Sequence, residues 1–155
     1  SLHTEKTDAC REIIGDMAAA EKVVVFCRFR AEIGALSDAI AKDGRAVYRL
    51  TGERKQNEEW SADRTGAVLL VQISAGGVGI DLTAARYCIY NSLCYSLADY
   101  EQSLARVHRP GQTRPVTYYH IVADGTVDNQ IYAALRSKRD VIQSIREHII
   151  DRRRS

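Results

Sequence analysis

No apolar run in this chain approaches the ~20 residues that span a bilayer, and no stretch resembles a signal peptide. The four cysteines, Cys10, Cys27, Cys88 and Cys94, form no CxxC pair, which argues against a metal knuckle. Cys27 and Cys88 fall inside apolar, strand-like runs, so they read as buried reduced thiols of a cytosolic or nuclear protein. Bulk charge is nearly absent: 22 lysines and arginines face 20 acidic residues, a net charge of +2. Any nucleic-acid site must therefore be a local patch. The terminal run Arg152-Arg153-Arg154 reads as a solvated end. Repeats, low-complexity segments and linkers are missing too. What remains, 155 residues at 45% hydrophobic and 27% charged, reads as one soluble globular domain large enough for a proper core.

Nucleotide-binding signatures are also lacking. Without any Gly-Lys dipeptide there is no Walker A loop, and no adjacent Asp-Glu pair is available to hold magnesium and activate water. Gly77-Val78-Gly79 invites a dinucleotide-binding reading, but Leu82 stands where the third glycine should be. That loop also follows the third strand, not the first.

What is present alternates. Apolar positions Ile13, Ile14 and Met17 predict a leading helix over 4–20. KVVVFCRF, from Lys22, is a valine-rich strand covered on both faces. Ile33, Leu36 and Ile40 restore the helical period up to Asp43-Gly44, and AVYRL (46–50) is a second strand closed by Thr51-Gly52. A short helix over 56–62 is anchored by Trp60. Strands follow at 67–73, 87–90 and 116–122, and Thr126 caps a long closing helix over 126–150 with the stripe Val127, Ile131, Leu135, Ile142, Ile145 and Ile149. Strands alternating with helices predict a single α/β domain over 1–155. Its sheet core runs over 22–122, doubly wound and mainly parallel, with helices on both faces.

Ser96, with Asp99 three residues on, starts a further helix that Pro110-Gly111 stops. At about 100° per residue, Gln102, Arg106 and Arg109 share an arc of roughly 60°, while Leu97, Tyr100, Leu104 and Val107 lie opposite. Two guanidiniums on one face with no carboxylate between them suit phosphate oxygens; a solvated basic face is the bland alternative. In doubly wound sheets ligands bind beyond the C-terminal strand ends. Thr51-Gly52, the Ser74–Asp81 loop and the approach to the arginine helix all lie there. The sum is half of a nucleotide site.

These residues carry a resemblance. ISAGGVGIDL (73–82) resembles motif V of superfamily 2 helicases and translocases, and QSLARVHRPGQTRPV (102–116) resembles motif VI in its Swi/Snf-type form. KVVVFCRF resembles motif IV, YRLTG the segment after it, and Gly125-Thr126-Val127-Asp128 the start of the closing helix. Over roughly residues 6–140 the chain thus resembles the second RecA-like lobe of a Swi/Snf-related ATPase, of the compact bacterial or phage kind.

The resemblance implies roles. Arg109 would be an arginine finger reaching the γ-phosphate of ATP held by an N-terminal RecA-like lobe of the same chain, with Arg106 its partner and Gln102 the leading glutamine. Gly79 and Asp81 would approach the nucleotide's ribose. Thr51, Gly52, Ser74 and Gly76 would grip the DNA sugar-phosphate backbone, positioning a strand without reading sequence. Arg28 is either a further phosphate contact or a solvent-exposed strand-end arginine. ATP and Mg2+ belong to the full-length protein, with the metal's ligands on the other lobe. Duplex DNA is the implied partner, no membrane is involved, and the fragment itself is expected to be monomeric and inactive. The location would be bacterial or phage-infected cytoplasm, or a eukaryotic nucleus. Asp81, where Swi/Snf members often carry asparagine, and Asn91, kept alone from an Asp-Trp-Asn-Pro run, depart from the pattern. A rival reading is a non-catalytic nucleic-acid- or protein-binding module of helicase-like fold.

Overall fold

The computed structural model describes residues 2–75, 80–92, 96–109, 113–126, 128–137 and 144–151. In chain order they form α1 (Leu2–Gly15), β1 (Val23–Cys27), α2 (Arg30–Lys42), β2 (Val47–Leu50), α3 (Asn57–Ala62), β3 (Val68–Gln72), β4 (Tyr87–Tyr90), α4 (Leu97–Val107), β5 (Thr117–Asp124), α5 (Asp128–Ser137) and β6 (Ser144–Asp151). The six strands make one sheet in the order β2-β3-β1-β4-β5-β6, and every pairing is parallel.

The valine run lies at the centre because it is apolar on both sides. All five β1 residues are buried, with Val25 opposite Leu70 of β3 on one flank and Ile89 of β4 on the other. Alternate side chains then feed two cores. Val23, Val25 and Cys27 pack with Leu70, Ile89 and Ile121 beneath Ile13 and Ile14 of α1 and Ile33, Leu36 and Ile40 of α2. Val24 and Phe26 pack on the other face with Leu69, Cys88, Tyr90 and Tyr118, beneath Trp60, Tyr100, Val107 and Ile131 of α3, α4 and α5. At the usual ~25 cal/mol per Å² of apolar surface, these two sandwiches supply the main driving force for folding.

Three expectations change in detail. The leading helix ends at Gly15, not at residue 20, because the guanidinium of Arg45 takes the carbonyls of Ile14, Met17 and Ala18. The same side chain donates to Glu21 and Gly66. The closing helix is described over Asp128–Ser137, and it does not run to residue 150: the predicted stripe residues Ile145 and Ile149 belong to the strand β6. An isoleucine-rich stretch fits either period, and β5 offers it a full ladder, from Thr117 opposite Ser144 to Asp124 opposite Asp151. Stripe residues Val127 and Ile142 lie outside the described residues. Finally, α4 ends at Val107, with His108 already extended at φ −120° and ψ 113°. A residue preceding proline is disfavoured in the helical region, so the chain straightens before Pro110. Arg109 therefore does not ride on the helix.

Crossovers from β1 lead to one side of the sheet, through β2 and β3, while β4 continues to the other through β5 and β6. The switch point lies between the C-terminal ends of β1 and β4, where a crevice forms in doubly wound sheets.

Candidate functional site

At that end of the sheet a buried carboxylate organises the backbone. Glu32, in the first turn of α2, accepts from the Phe29 N–H at 3.1 Å, the Ser92 hydroxyl at 2.8 Å and the Asn91 amide at 2.8 Å. Ser92 Oγ in turn accepts the Arg28 N–H at 2.7 Å. Glu32, Asn91 and Ser92 are all buried, so this network holds the segment after β1 against the segment after β4. The guanidinium of Arg28 lies over the Phe29 ring, 4.8 Å from its centroid, and both side chains are exposed.

Helix α4 starts where the sequence predicts: Ser96 Oγ accepts the Asp99 N–H at 3.2 Å. Its inner face is fixed by polar contacts as well as by apolar ones. The Tyr90 hydroxyl and Ser103 Oγ lie 2.6 Å apart, and the Tyr100 hydroxyl meets His120 Nε2 at 2.8 Å. His120 stacks on Tyr90 at 4.7 Å between ring centroids.

Arg106 does not face solvent as the arc on a helix suggested; it is only 4% exposed. Its Nη1 donates to the carbonyl of Ala75 at 3.1 Å, and its own carbonyl accepts the Leu82 N–H at 2.9 Å. Burial draws its pKa below the ordinary arginine value, opposed by the charge of Asp99. Arg109 is half-buried and donates Nη2 to the carbonyl of Ile80 at 3.3 Å. The two arginines thus converge on the two described ends of the glycine loop. Asp81 Oδ1 accepts from the Thr83 hydroxyl at 2.6 Å and from the Thr83 N–H at 2.8 Å. Those bonds, with a smaller contribution from the Arg109 charge, hold its carboxyl below the usual range. Asp81 borders a polar groove of about 550 Å³, together with Asn57, Glu58 and Ser61 of α3.

The other predicted residues divide. Ser74 is exposed at the end of β3, and Gln102 is half-buried within α4. Thr51 is buried, and its hydroxyl oxygen accepts the N–H groups of Glu53 and Arg54. It therefore shapes the turn after β2, with Gly52 exposed beside it. Gly76 and Gly79 lie outside the described residues, as do Cys94 and the arginine tail. Sequence reasoning missed Glu32 and its partners, and it missed a cluster of arginines after β2. A lone glutamate in an amphipathic helix gives no period signal. The arginines could have been found by counting cations at strand ends. Chemically, the arrangement offers cations and hydroxyls at one end of the sheet. Among the described residues, no group of three or more His, Cys, Asp or Glu side chains is arranged to hold a metal ion.

Comparisons with known proteins address the family and the fold. Residues 5–111 match the family model of the helicase conserved C-terminal domain. The DNA repair protein RAD5A of Arabidopsis thaliana is 30% identical over 142 residues, 88% of this chain and 14% of that protein. A Drosophila melanogaster homologue of the SWI/SNF-related matrix-associated actin-dependent regulator of chromatin, subfamily A containing DEAD/H box 1, is 29% identical over 127 residues, 78% of this chain and 15% of that protein. The chain thus spans about one-seventh of these curated relatives. Both are eukaryotic, and a bacterial or phage origin finds no support in them. The crystal structure of the C-terminal part of the Fun30 ATPase domain superposes with a TM-score of 0.73 at 24% identity, covering 83% of this chain and 44% of that one. The RecA-like fold is thereby shared.

Proposed function

Because the chain belongs to the helicase conserved C-terminal domain family, in its Swi/Snf-related branch, we propose that it is the second motor lobe of an ATP-dependent DNA translocase or helicase. ATP, with Mg2+, is bound by an N-terminal lobe of the parent chain, and Arg109 reaches its phosphates when the two lobes close. Asp81 and Gly79 approach the ribose, and Gln102 lies along the same cleft. Gly52, Ser74, Gly76 and Arg28 hold the sugar-phosphate backbone of duplex DNA without reading sequence, with the buried Thr51 shaping the turn that presents Gly52. The nucleus is the matching location, since the chain would act on chromosomal DNA.

One observation carries this reading: two arginines, one buried and one half-buried, converge on the ends of a single glycine loop. A guanidinium positioned by backbone carbonyls is ready to meet developing phosphate charge without reorganising. Arg106 and Arg109 then divide the labour. Arg106 locks α4 to the loop, so that loop and helix move together. Arg109, with more solvent access, is the finger.

The burial of Arg106 is also what favours the rival, a binding module whose arginines are structural. DNA-stimulated ATP hydrolysis by the parent chain separates the two. Arg109→Ala is expected to lower the rate by roughly 10³–10⁵-fold while DNA affinity is retained. An unchanged rate leaves the binding module.

A further inference from the structure

Phe26, Tyr90 and His120 are register partners across β1, β4 and β5, so their side chains stand in one row on one face of the sheet. The rings stack along that row, Phe26 on Tyr90 at 5.1 Å and Tyr90 on His120 at 4.7 Å between centroids. Neighbouring strands lie ~4.8 Å apart, so the backbone itself sets the spacing of these plates. Tyr132 of α5 meets the His120 ring edge-on at 5.0 Å. Tyr90 and His120 are thus each held by two other rings.

Both plates carry polar tips, and both tips meet α4. The Tyr90 hydroxyl lies 2.6 Å from Ser103 Oγ, and His120 Nε2 lies 2.8 Å from the Tyr100 hydroxyl. Ser103 Oγ is also 2.6 Å from the Tyr100 carbonyl oxygen. A carbonyl carries no proton and a serine only one, so Ser103 donates to the carbonyl and Tyr90 donates to Ser103. Burial raises the Tyr90 pKa well above the ordinary tyrosine value, which keeps that proton in place. All four side chains belong to residues no more than 1% exposed.

Apolar contacts are non-directional, so Leu104 and Val107 alone would let α4 slide or roll on the sheet. Two buried hydrogen bonds one turn apart remove that freedom, because a shift strands polar groups that water cannot reach. Arg106 stands one further turn on, about 4.5 Å past Ser103 at 1.5 Å per residue. Arg109 follows beyond the helix end.

We propose that Tyr90 and His120 are positioning residues: acting through Ser103 and Tyr100, they fix the axial placement of α4 and thereby set where the Arg109 guanidinium stands when it meets phosphate. The proposal rests on the reading of Arg109 as the finger of a motor lobe. It adds to that reading two pins on β4 and β5 that, being buried, touch no ligand.

The test is DNA-stimulated ATP hydrolysis by the parent chain. Y90F/S103A removes both partners of one bond together, keeps the ring stack, and places alanine, the best helix former, within α4. Its melting temperature is expected within about 3 °C of wild type. DNA affinity and KM for ATP should be retained, with kcat lowered roughly 10–100-fold. Y100F, which cuts the other pin, is expected to lower kcat in the same way. In an Arg109→Ala background neither change should lower the rate further, since both act through Arg109. Wild-type kcat in Y90F/S103A and Y100F, beside an Arg109→Ala variant that has lost activity, overturns the pins and leaves the motor lobe standing. So does a loss of rate that multiplies with that of Arg109→Ala, or one matched by a fall in melting temperature in both variants. A rate indifferent to Arg109→Ala overturns the motor reading and the pins together.

Discussion

Arg45 shows how much one side chain can decide. Its guanidinium donates to five backbone carbonyls: Ile14, Met17 and Ala18 around the end of α1, Glu21 before β1 and Gly66 before β3. Burial lowers its pKa from the ordinary arginine value, opposed by the Glu21 charge. Gly66 is required beside it, since a Cβ there would lie 2.0 Å from the Ala19 carbonyl oxygen. Asp63 works by the same logic with the charge reversed. Its Oδ1 accepts from the Thr65 hydroxyl and N–H, and its Oδ2 from the Tyr48 hydroxyl. The Thr65 bonds above all bring its pKa down to about 2. A carboxylate depressed in the fold contributes stability above its unfolded value near 3.9 and loses it as pH falls through the folded value. Asp63→Asn is therefore expected to be less stable than wild type at pH 7, with the gap closing between about pH 4 and 2. Urea unfolding across that range checks it, and a gap independent of pH would count against the ionised role.

Among the elements, α2 was legible from its period and α4 from its cap, because the spacing of Ile33, Leu36 and Ile40 and the pair Ser96–Asp99 are local signals. The fate of 144–151 was not, because Ile145 and Ile149 suit both a helical stripe and a strand, and only the open edge of β5 decides. Arg109 misled for a related reason: the arc assumed that the helix runs to Pro110, whereas it ends at Val107. The glycine loop and the arginine pair stood out in the sequence by residue type, and the fold brings both guanidiniums to the described ends of that loop. The Glu32 network was not, because its partners lie 59 and 60 residues away. Its worth can be measured. Glu32→Ala strands the Asn91 and Ser92 donors in a buried site and is expected to cost about 3 kcal/mol in urea unfolding. Glu32→Gln should cost less, because Asn91 Oδ1 has no partner among the described residues and an amide flip lets it accept from the new NH₂. Equal losses in the two variants would show that the carboxylate charge itself is needed.

At the scale of the whole molecule, both faces of the sheet are sealed by helices and one end is left polar. That plan fits a rigid body working against a second body. The chain has no Gly-Lys dipeptide with which to cradle phosphates. The 155 residues alone are accordingly expected to hydrolyse ATP at no more than background, with or without DNA, in a coupled-enzyme assay containing magnesium. Robust turnover by this chain would show a complete site within it and end the two-lobe account. The carboxylate of Glu32 has a mechanical consequence as well. Through the Phe29 N–H and Ser92, which itself takes the Arg28 N–H, it bolts the stretch after β1 to the stretch that leads into α4. In the proposed nucleic-acid complex, a pull on Arg28 would load that joint through its own backbone N–H. The load would then reach the end of β4 along hydrogen bonds, without having to bend the sheet.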